Sequence, residues 1–252
     1  MGFAEGKVLW RMLRGQPREG TLQQRLESFY RPQAAHYDDF RERLLHGREQ
    51  LIELLDIRAG QRLVELGGGT GRNLEFYGDQ IPDLKSVELV DLCSPLLELA
   101  NARCKKWNNV IITHGDATQY HPHQPVDRVY FSYALTMIPD WFRAVENALS
   151  MLRPGGLIGV VDFYVSRARA DETHVQHGFF TRLLWPNWFA HDGVYLSPDH
   201  LPYLESVTEP VHRIEASGTV PFLPGLRAPY YVYIGMKPHS GPKTPSSDLS
   251  LE

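Results

Sequence analysis

The sequence contains little cysteine and has no long hydrophobic run. Cys93 and Cys104 are the two cysteines among 252 residues, too few for a disulfide framework and wrongly spaced for a metal site. A reducing compartment is therefore expected. No apolar run approaches the roughly 20 residues of a membrane-spanning helix. A signal-peptide pattern is also missing, so we expect a cytoplasmic protein.

An excess of positive charge is absent as well. The chain has 26 Lys and Arg against 30 Asp and Glu, and its formal net charge is −4 at pH 7. This balance argues against a bulk nucleic-acid-binding protein. A hydrophobic content of 42% and a charged content of 22% are typical of a globular protein with a substantial core. There is no internal repeat, and the length suits one large domain with or without an appendage.

A glycine-rich turn follows a short apolar segment near residue 65. Leu63–Leu66 has the length and composition of a strand, Gly67, Gly68 and Gly69 follow it, and a helical pattern starts at Arg72. A strand, a glycine turn and a helix together bring backbone N–H groups and a helix N-terminus to a ligand. The G-x-G-x-G spacing is one residue shorter than the dinucleotide fingerprint, which leaves less room for a pyrophosphate.

The next predicted strand ends in an acid. Asp91 follows Val87–Val90 and lies roughly 20 residues beyond the glycine turn, where doubly wound folds place a carboxylate that binds ribose hydroxyls. The alternative is an acid at a helix N-terminus, because Ser94 and Pro95 begin a helical pattern.

These elements resemble motif I and the acidic loop of the class I S-adenosylmethionine (AdoMet)-dependent methyltransferases. Two further segments extend the resemblance over residues 35–237: His114–Ala117 is similar to the G-D-A after strand 3, and Leu152–Gly156 to the L-x-P-G-G turn before strand 5. In that family the G-D-A acid contacts the adenine amine. The resemblance implies AdoMet as cofactor and S-adenosylhomocysteine as its product. The implied cofactor-binding residues are Tyr37, Glu65, Gly67, Gly68, Gly69, Asn73, Asp91, Leu92, Asp116, Ala117, Ser132 and Tyr133.

The implied fold is an α/β, Rossmann-like, seven-stranded, mostly parallel sheet with an antiparallel last strand. An N-terminal helical lid and a cap insertion after strand 5, over 164–200, complete it. We predict strands over 62–66, 86–91, 110–113, 128–132, 157–163, 212–219 and 230–236, and helices over 39–55, 72–80, 95–106 and from 140. The predicted domains are an N-terminal helical or amphipathic arm over 1–34, a methyltransferase domain over 35–237 and a disordered tail over 238–252.

The segment after predicted strand 4 bears on the substrate. It lacks the [DN]-P-P-[YFW] motif, which argues against the common DNA-adenine and protein-glutamine subclasses. Tyr133 and Met137 are candidates for the methyl path, although Tyr133 is also consistent with packing alone. The candidate pocket aromatics, whose faces would favour a cationic amine product, are Tyr30, Tyr37, Tyr133, Trp185, Trp188 and Tyr230–Tyr233.

The predicted cap is rich in aromatic residues and histidine. Phe179–Trp185 has the pattern of an apolar helix or a greasy cap. His174, His177 and His191 lack a nearby Cys or acid at ligand spacing, so we expect no metal. A role in the cap, or as a base for a substrate amine, is the alternative for these histidines.

Four segments resemble the bacterial betaine-lipid N-methyltransferases more specifically; they lie at 11–15, 30–38, 65–73 and 132–141. That family methylates the amine of diacylglyceryl-homoserine to the trimethylhomoserine betaine lipid. The resemblance implies a lipid substrate at the membrane surface and a cation for its carboxylate, with Arg72, Arg143 and Arg182 as candidates. No catalytic base is assigned. Methylation of a soluble amine or a quinone, aminocarboxypropyl transfer, and AdoMet binding without catalysis stay open.

The N-terminal arm contains a short basic amphipathic segment at 7–14. On a helix, Lys7, Arg11 and Arg14 share one face and apolar residues fill most of the remainder. Such a segment suits the interface of a membrane, and packing on its own domain or on a partner subunit is the alternative. We therefore expect a cytoplasmic protein that is peripheral at the inner face of the membrane.

Deletion of residues 1–14 is predicted to weaken association with anionic liposomes, because it removes the three cations and the apolar face together. Cosedimentation of the full-length and shortened proteins measures the effect. Equal binding of the two proteins would remove the membrane interpretation of this segment.

Overall fold

The computed structural model describes most of the chain, namely residues 19–31, 42–169, 172–221, 223 and 225–239. The amphipathic segment at 7–14, the predicted cofactor residue Tyr37 and most of the predicted tail lie outside the described residues. The predicted domain boundaries stay predictions.

The described chain alternates strands and helices through its middle part. Strands β1 to β7 span Arg62–Leu66, Ser86–Asp91, Val110–His114, Val126–Ser132, Leu152–Phe163, Glu209–Thr219 and Arg227–Met236. Helices α1 to α6 span Leu22–Tyr30, Arg48–Leu55, Ser94–Cys104, Trp141–Met151, Phe179–Ala190 and His200–Val207. Two 3-10 helices cover Arg72–Asp83 and Leu135–Met137.

The seven strands form one sheet in the order β3-β2-β1-β4-β5-β7-β6. The pairs from β3 to β5 are all parallel, whereas β7 runs antiparallel to both of its neighbours, β5 and β6. This topology confirms the predicted fold class. Strand order reverses between β1 and β4, and open α/β sheets bind ligands at such a point, beyond the carboxyl ends of the strands.

Apolar layers cover both faces of the sheet. Successive strand residues point to opposite faces, so Leu63 joins the layer that contains α2, α3 and α5, and Val64 joins the layer that contains α4 and α6. Both side chains are fully buried, as in parallel sheets with helices on both sides. Helix α5 and helix α4 therefore lie on opposite sides of the sheet.

The continuous helix predicted over 39–55 is wrong. Helix α2 begins at Arg48, and Gly47 before it has a left-handed backbone with φ 78°. A Cβ at Gly47 would lie 2.7 Å from Cε2 of Tyr230, so close packing against β7 and the positive φ both favour glycine here. The break places Arg48 at the start of a helix.

Other predicted boundaries also shift by a few residues, and two of these changes have a clear structural form. The helix predicted over 72–80 is a 3-10 helix that extends to Asp83 and is interrupted by Gly78, whose φ is 54°. Strand β5 begins at Leu152, five residues before the predicted start, because Leu152 already pairs with Val126 across a register shift.

Helix α2 is fixed to the sheet by a buried arginine. Arg128 of β4 donates from Nε to the Leu55 carbonyl at 2.6 Å and from Nη2 to the Asp56 carbonyl at 3.1 Å. These bonds satisfy carbonyls at the helix C-terminus, where a cation is also favoured by the helix dipole. In the described part of the chain, no helix is long and apolar enough to cross a membrane.

Candidate active site

A cleft of about 940 Å³, including its open mouth, lies where β1, β2 and β4 end. It occupies the position at which the strand order reverses. Predicted cofactor residues on its wall are Gly67, Gly68, Gly69, Asn73, Asp91, Leu92, Asp116, Ala117, Ser132 and Tyr133. The structure thus brings together residues from five separate segments of the sequence.

The glycine turn forms a floor without side chains. The backbone amides of Gly67 and Gly68 donate to the Val90 carbonyl at 2.8 and 3.1 Å, which holds the turn against β2. Gly67 has φ 72°, and a Cβ there would lie 2.5 Å from Cβ of Ala134. Glycine is therefore required by conformation and by space, and it leaves backbone open to a ligand.

Asp91 is anchored at the end of β2. Its Oδ2 accepts from the Gly69 amide at 2.8 Å and its Oδ1 from the Cys93 amide at 2.7 Å. Each carboxylate oxygen has a second acceptor position, so the anchored group can also accept from a pair of hydroxyls. Cys93 caps α3, so Asp91 also serves as the acid at a helix N-terminus that the sequence offered as the alternative.

The next loop places Asp116 and Ala117 on the same wall. Oδ1 of Asp116 accepts from the Thr118 amide and hydroxyl, both at 2.8 Å. This arrangement fixes the direction of the carboxylate. Apolar side chains line the same cleft, Leu92 and Met137 among them, and such a lining suits an aromatic ring.

Glu65 lies beneath the cleft and is not part of its wall. Its side chain is fully buried, and Nδ2 of Asn73 donates to its Oε1 at 2.6 Å. Oε2 has no hydrogen-bond partner among the described residues. Burial raises the pKa of Glu65 to about 7, and the Asn73 hydrogen bond opposes that shift. The predicted cofactor contact of Glu65 stays a prediction, with Asn73 between the carboxyl and the cleft.

Tyr133 lies on the cleft wall and also packs in the core, and its predicted place on the methyl path stays a prediction. It lines the cleft, its ring packs on Phe163 with centroids 4.6 Å apart, and its hydroxyl donates to the His46 carbonyl at 2.6 Å. Its φ of 54° is uncommon for a residue with a side chain. Such strained backbone is found at functional sites, where the surroundings hold it in place. The adjacent Ser132 Oγ is buried and has no partner in the described part of the chain.

Asp162 is a buried residue that supports the candidate site and that sequence reasoning missed. Its carboxylate accepts from the Thr136 amide at 3.1 Å, the Thr136 hydroxyl at 2.8 Å and the Phe163 amide at 2.8 Å. It therefore holds the segment after β4 against β5. Burial raises its pKa to about 7. The signal was present, since this is the one acid in the apolar run of predicted strand 5.

Helix α1 closes one side of the cleft, as the predicted helical lid does. Leu22, Leu26 and Tyr30 line the cleft, and the Tyr30 hydroxyl lies 3.5 Å from Sδ of Met137. A capping box between Thr21 and the third residue of the helix starts α1, and this sequence signature was not used for the prediction.

Of the three arginines proposed to bind a substrate carboxylate, the structure places one on the cleft wall. Arg72 lines the cleft and pairs with Glu42 and Glu75, whereas Arg143 and Arg182 lie outside the cleft wall. Arg48, which the sequence did not single out, is buried on that wall, and its Nη1 donates to Oδ1 of Asn73 at 3.4 Å.

Several aromatic candidates lie outside the cleft. Tyr231 and Tyr233 are fully buried in the apolar layer on the α4 side. Trp185 packs in the opposite layer, and Trp188 is 40% exposed on α5. Alternation along β7 separates Tyr231 and Tyr233 from Tyr230, which stacks on His46.

The cap histidines are in separate environments. His174 contacts Glu205 at 2.9 Å, and Nδ1 of His177 accepts from the Ser166 amide at 2.9 Å. Within the described ranges, no group of three or more His, Cys, Asp or Glu side chains is arranged to hold a metal.

Comparisons with known proteins agree with this geometry. Residues 63–156 match the family model described as "Methyltransferase domain". The ubiquinone/menaquinone biosynthesis C-methyltransferase UbiE of Pseudomonas fluorescens is 26% identical over 154 residues, which are 58% of this chain and 60% of that protein. This chain therefore matches about six tenths of the length of that curated relative.

Two solved structures share the fold. The N-methyltransferase NodS of Bradyrhizobium japonicum, in complex with S-adenosylhomocysteine, superposes with a TM-score of 0.57 at 17% identity, over 76% of this chain and 85% of NodS. The phosphoethanolamine N-methyltransferase 2 of Haemonchus contortus, in complex with AdoMet, gives 0.64 at 15% identity, over 88% of this chain and 61% of that chain.

The sheet order, the glycine turn and the anchored acids define a class I methyltransferase fold. Residues 63–156 match the methyltransferase-domain model within this fold, and the cofactor of this class is AdoMet.

Replacing Asp91 with Ala is predicted to lower AdoMet affinity by more than 100-fold while the fold is kept. Two hydrogen bonds from hydroxyls to a carboxylate contribute about 1.5–3 kcal/mol each, and each 1.4 kcal/mol is a factor of ten. Isothermal titration calorimetry measures the affinity. Asp91→Asn, which keeps one acceptor oxygen for the Gly69 or Cys93 amide, is the control for local structure. Unchanged affinity in Asp91→Ala would contradict the assignment.

The free energy of unfolding of the cofactor-free protein is predicted to fall as pH rises from about 5 towards 8. The pKa values of Glu65 and Asp162 are raised to about 7 in the folded state, above their ordinary values of 4.5 and 3.8. The folded protein therefore holds protons that the unfolded chain has lost, and this stabilisation disappears as the carboxyls ionise.

Urea denaturation at pH 5.5, 6.5 and 8 measures this dependence. Glu65→Gln should flatten the slope, because an amide at this position does not titrate. Glu98→Gln, at an exposed position on α3, should keep the original slope. A slope unaffected by Glu65→Gln would show that Glu65 titrates alike in both states.

Proposed function

We propose that this protein is an AdoMet-dependent N-methyltransferase that methylates the amine of diacylglyceryl-homoserine and forms the trimethylhomoserine betaine lipid. The observation that carries the proposal is the cleft itself, in which an anchored acid at the end of β2 faces a glycine floor and the strained Tyr133 stands at the end of β4. The resemblance of four sequence segments to the betaine-lipid enzymes supplies the substrate.

The residues on the wall suit the cofactor in three places. Asp91 offers acceptors for a pair of ribose hydroxyls, and Asp116 beside apolar neighbours offers one for an adenine amine. Asn73 and Arg48 form a polar end that suits an amino-acid group. When bound there, AdoMet supplies an electrophilic methyl group on a sulfonium.

Methyl transfer requires positioning more than acid–base chemistry. The acceptor lone pair must lie about 3–3.5 Å from the methyl carbon and in line with the leaving group. An amine must be neutral to attack, and an apolar pocket favours the neutral form. Tyr30 and Met137 provide such a wall, and the Tyr30 and Tyr133 rings can stabilise the increasingly cationic product.

Tyr133 is not a base in this proposal. Burial, with a smaller contribution from Asp162, raises its pKa well above the ordinary value for tyrosine. Its hydroxyl is also engaged with the His46 carbonyl. The phenol therefore stays neutral at physiological pH, and its proposed role is to shape the pocket and present its ring.

The fold comparisons support an amine acceptor by analogy. NodS and the phosphoethanolamine enzyme are both described as N-methyltransferases. Because one fold hosts many reactions, these likenesses raise the expectation and do not decide the substrate.

Quinone C-methylation is the second candidate, favoured by the sequence similarity to UbiE. The same cleft would hold AdoMet for either reaction. The acceptors differ in the group that is methylated, since one is a primary amine next to a carboxylate and the other is a ring carbon.

Incubation of the purified protein with AdoMet and dispersed diacylglyceryl-homoserine is predicted to give lipids with one, two and three added methyl groups by mass spectrometry. A parallel reaction contains a demethylated quinone instead, and Asp91→Ala serves as the inactive control. Methylation of the quinone alone would replace the first candidate by the second. Methylation of neither lipid, with AdoMet binding shown by calorimetry, would overturn both.

A further inference from the structure

Helix α5 is apolar on its outer side as well as on its inner side. Its outer face, the α5 face, consists of Phe179 (65% exposed), Phe180 (82%), Leu183 (52%), Leu184 (42%) and Trp188 (40%). Asn187 is the polar residue on this face, and its amide is engaged with the Leu183 carbonyl. A helix that is apolar all round is normally covered on all sides, and an exposed patch of this kind marks an interaction surface.

The inner side of α5 connects the helix to the cleft wall. Trp185 and Phe189 are buried in the core. Phe189 stacks on Phe163 with centroids 4.5 Å apart, and Phe163 contacts the ring of Tyr133 at 4.6 Å. The rings of Phe189 and Phe163 therefore lie between the α5 face and Tyr133, which lines the cleft.

The chain after α5 returns directly to the segment beside the cleft. The Tyr195 amide donates to the Thr136 carbonyl at 2.7 Å, and Thr136 precedes the cleft residues Met137 and Ile138. The side chain of Tyr195 is 58% exposed. The exposed Tyr195 side chain therefore lies on the connection that joins α5 to the segment beside the cleft.

Three arginines and two acids lie around the α5 face. Arg182 is the single charged residue of α5, and the helix has no acid. The Gln176 amide donates to the Arg167 carbonyl at 3.4 Å, which brings the exposed Arg167 and Arg169 to the start of the helix. Arg167 pairs with Asp199, whereas Glu172 is an exposed acid on the same connection.

We propose that the α5 face inserts into the surface of a bilayer that contains anionic phospholipid. Phe and Leu would enter the acyl boundary, Trp188 would occupy the headgroup level that tryptophan favours, and Arg167 and Arg169 would face the anionic headgroups. This inference rests on the proposed function, because docking by the α5 face would bring the cleft to a diacyl lipid substrate. It is separate from the predicted role of residues 7–14.

The test compares two double variants of the full-length protein. Phe180→Ser with Leu184→Ser changes the α5 face, and Phe142→Ser with Val211→Ser removes two exposed apolar side chains elsewhere. Phe142 is on α4, on the opposite side of the sheet, and Val211 is on β6. Because all four side chains are exposed, both variants should fold, which thermal melts verify.

Cosedimentation uses vesicles of equal parts phosphatidylglycerol and phosphatidylcholine. The α5 variant should partition at least tenfold more weakly than the original protein, because two apolar side chains no longer leave water, and the control variant should stay within twofold. The fluorescence of Trp188 should shift to shorter wavelength with vesicles, and Trp188→Phe identifies its share of the signal. Equal partitioning of the α5 variant overturns the proposal. Vesicle-independent dimerisation that the α5 variant abolishes overturns it too, in favour of a second copy.

Activity measurements separate this inference from the proposed function. With the homoserine lipid in vesicles the α5 variant should lose at least tenfold in rate, and with a short-chain analogue in detergent micelles it should match the original protein. If neither the lipid in vesicles nor the analogue in micelles is methylated, the proposed substrate is refuted. The vesicle-binding result then still decides the α5 proposal.

Discussion

The carboxylate of Asp91 ties together three parts of the site. It accepts from the amide of Gly69 in the glycine turn and from the amide of Cys93 at the start of α3, and it ends β2. One side chain therefore fixes the turn, the second strand and the following helix relative to each other. A carboxylate held by two amides keeps its direction without a ligand, so the position proposed to bind hydroxyls is already formed in the cofactor-free protein.

Two buried carboxyls hold the segments next to Asp91 in place. Glu65 lies under the glycine turn with Asn73, and Asp162 holds Thr136 in the segment after β4. Among the described residues, neither carboxyl has a lysine or arginine as a hydrogen-bond partner, and burial is the largest cause of both raised pKa values. The site therefore combines a half-buried acid on the cleft wall, Asp91, with two fully buried acids behind it whose pKa values are raised.

Local patterns predicted the parts of the site that depend on neighbours in the sequence. The glycine turn, Asp91 and Asp116 follow strands directly, and parallel strands bring such positions to one edge. Arg48 and Asp162 were missed because their partners, Asn73 and Thr136, lie about 25 residues away along the chain. The break at Gly47 depends on packing against Tyr230, which no local pattern contains. The prediction that Tyr231 and Tyr233 line the pocket was also wrong. Side chains alternate along β7, and this alternation places both rings in the apolar layer on the α4 side.

The antiparallel direction of β7 determines where the described chain leaves the sheet. Lys237 follows β7, its amide donates to the Gly156 carbonyl, and its Nζ donates to the Leu152 carbonyl at the start of β5. The candidate cofactor residues gather at the opposite end of the sheet, where the parallel strands end. A tether or fluorescent label joined after residue 239 would therefore be attached on the side of the sheet remote from the cleft. Protein immobilised through that point would present its cleft away from the support.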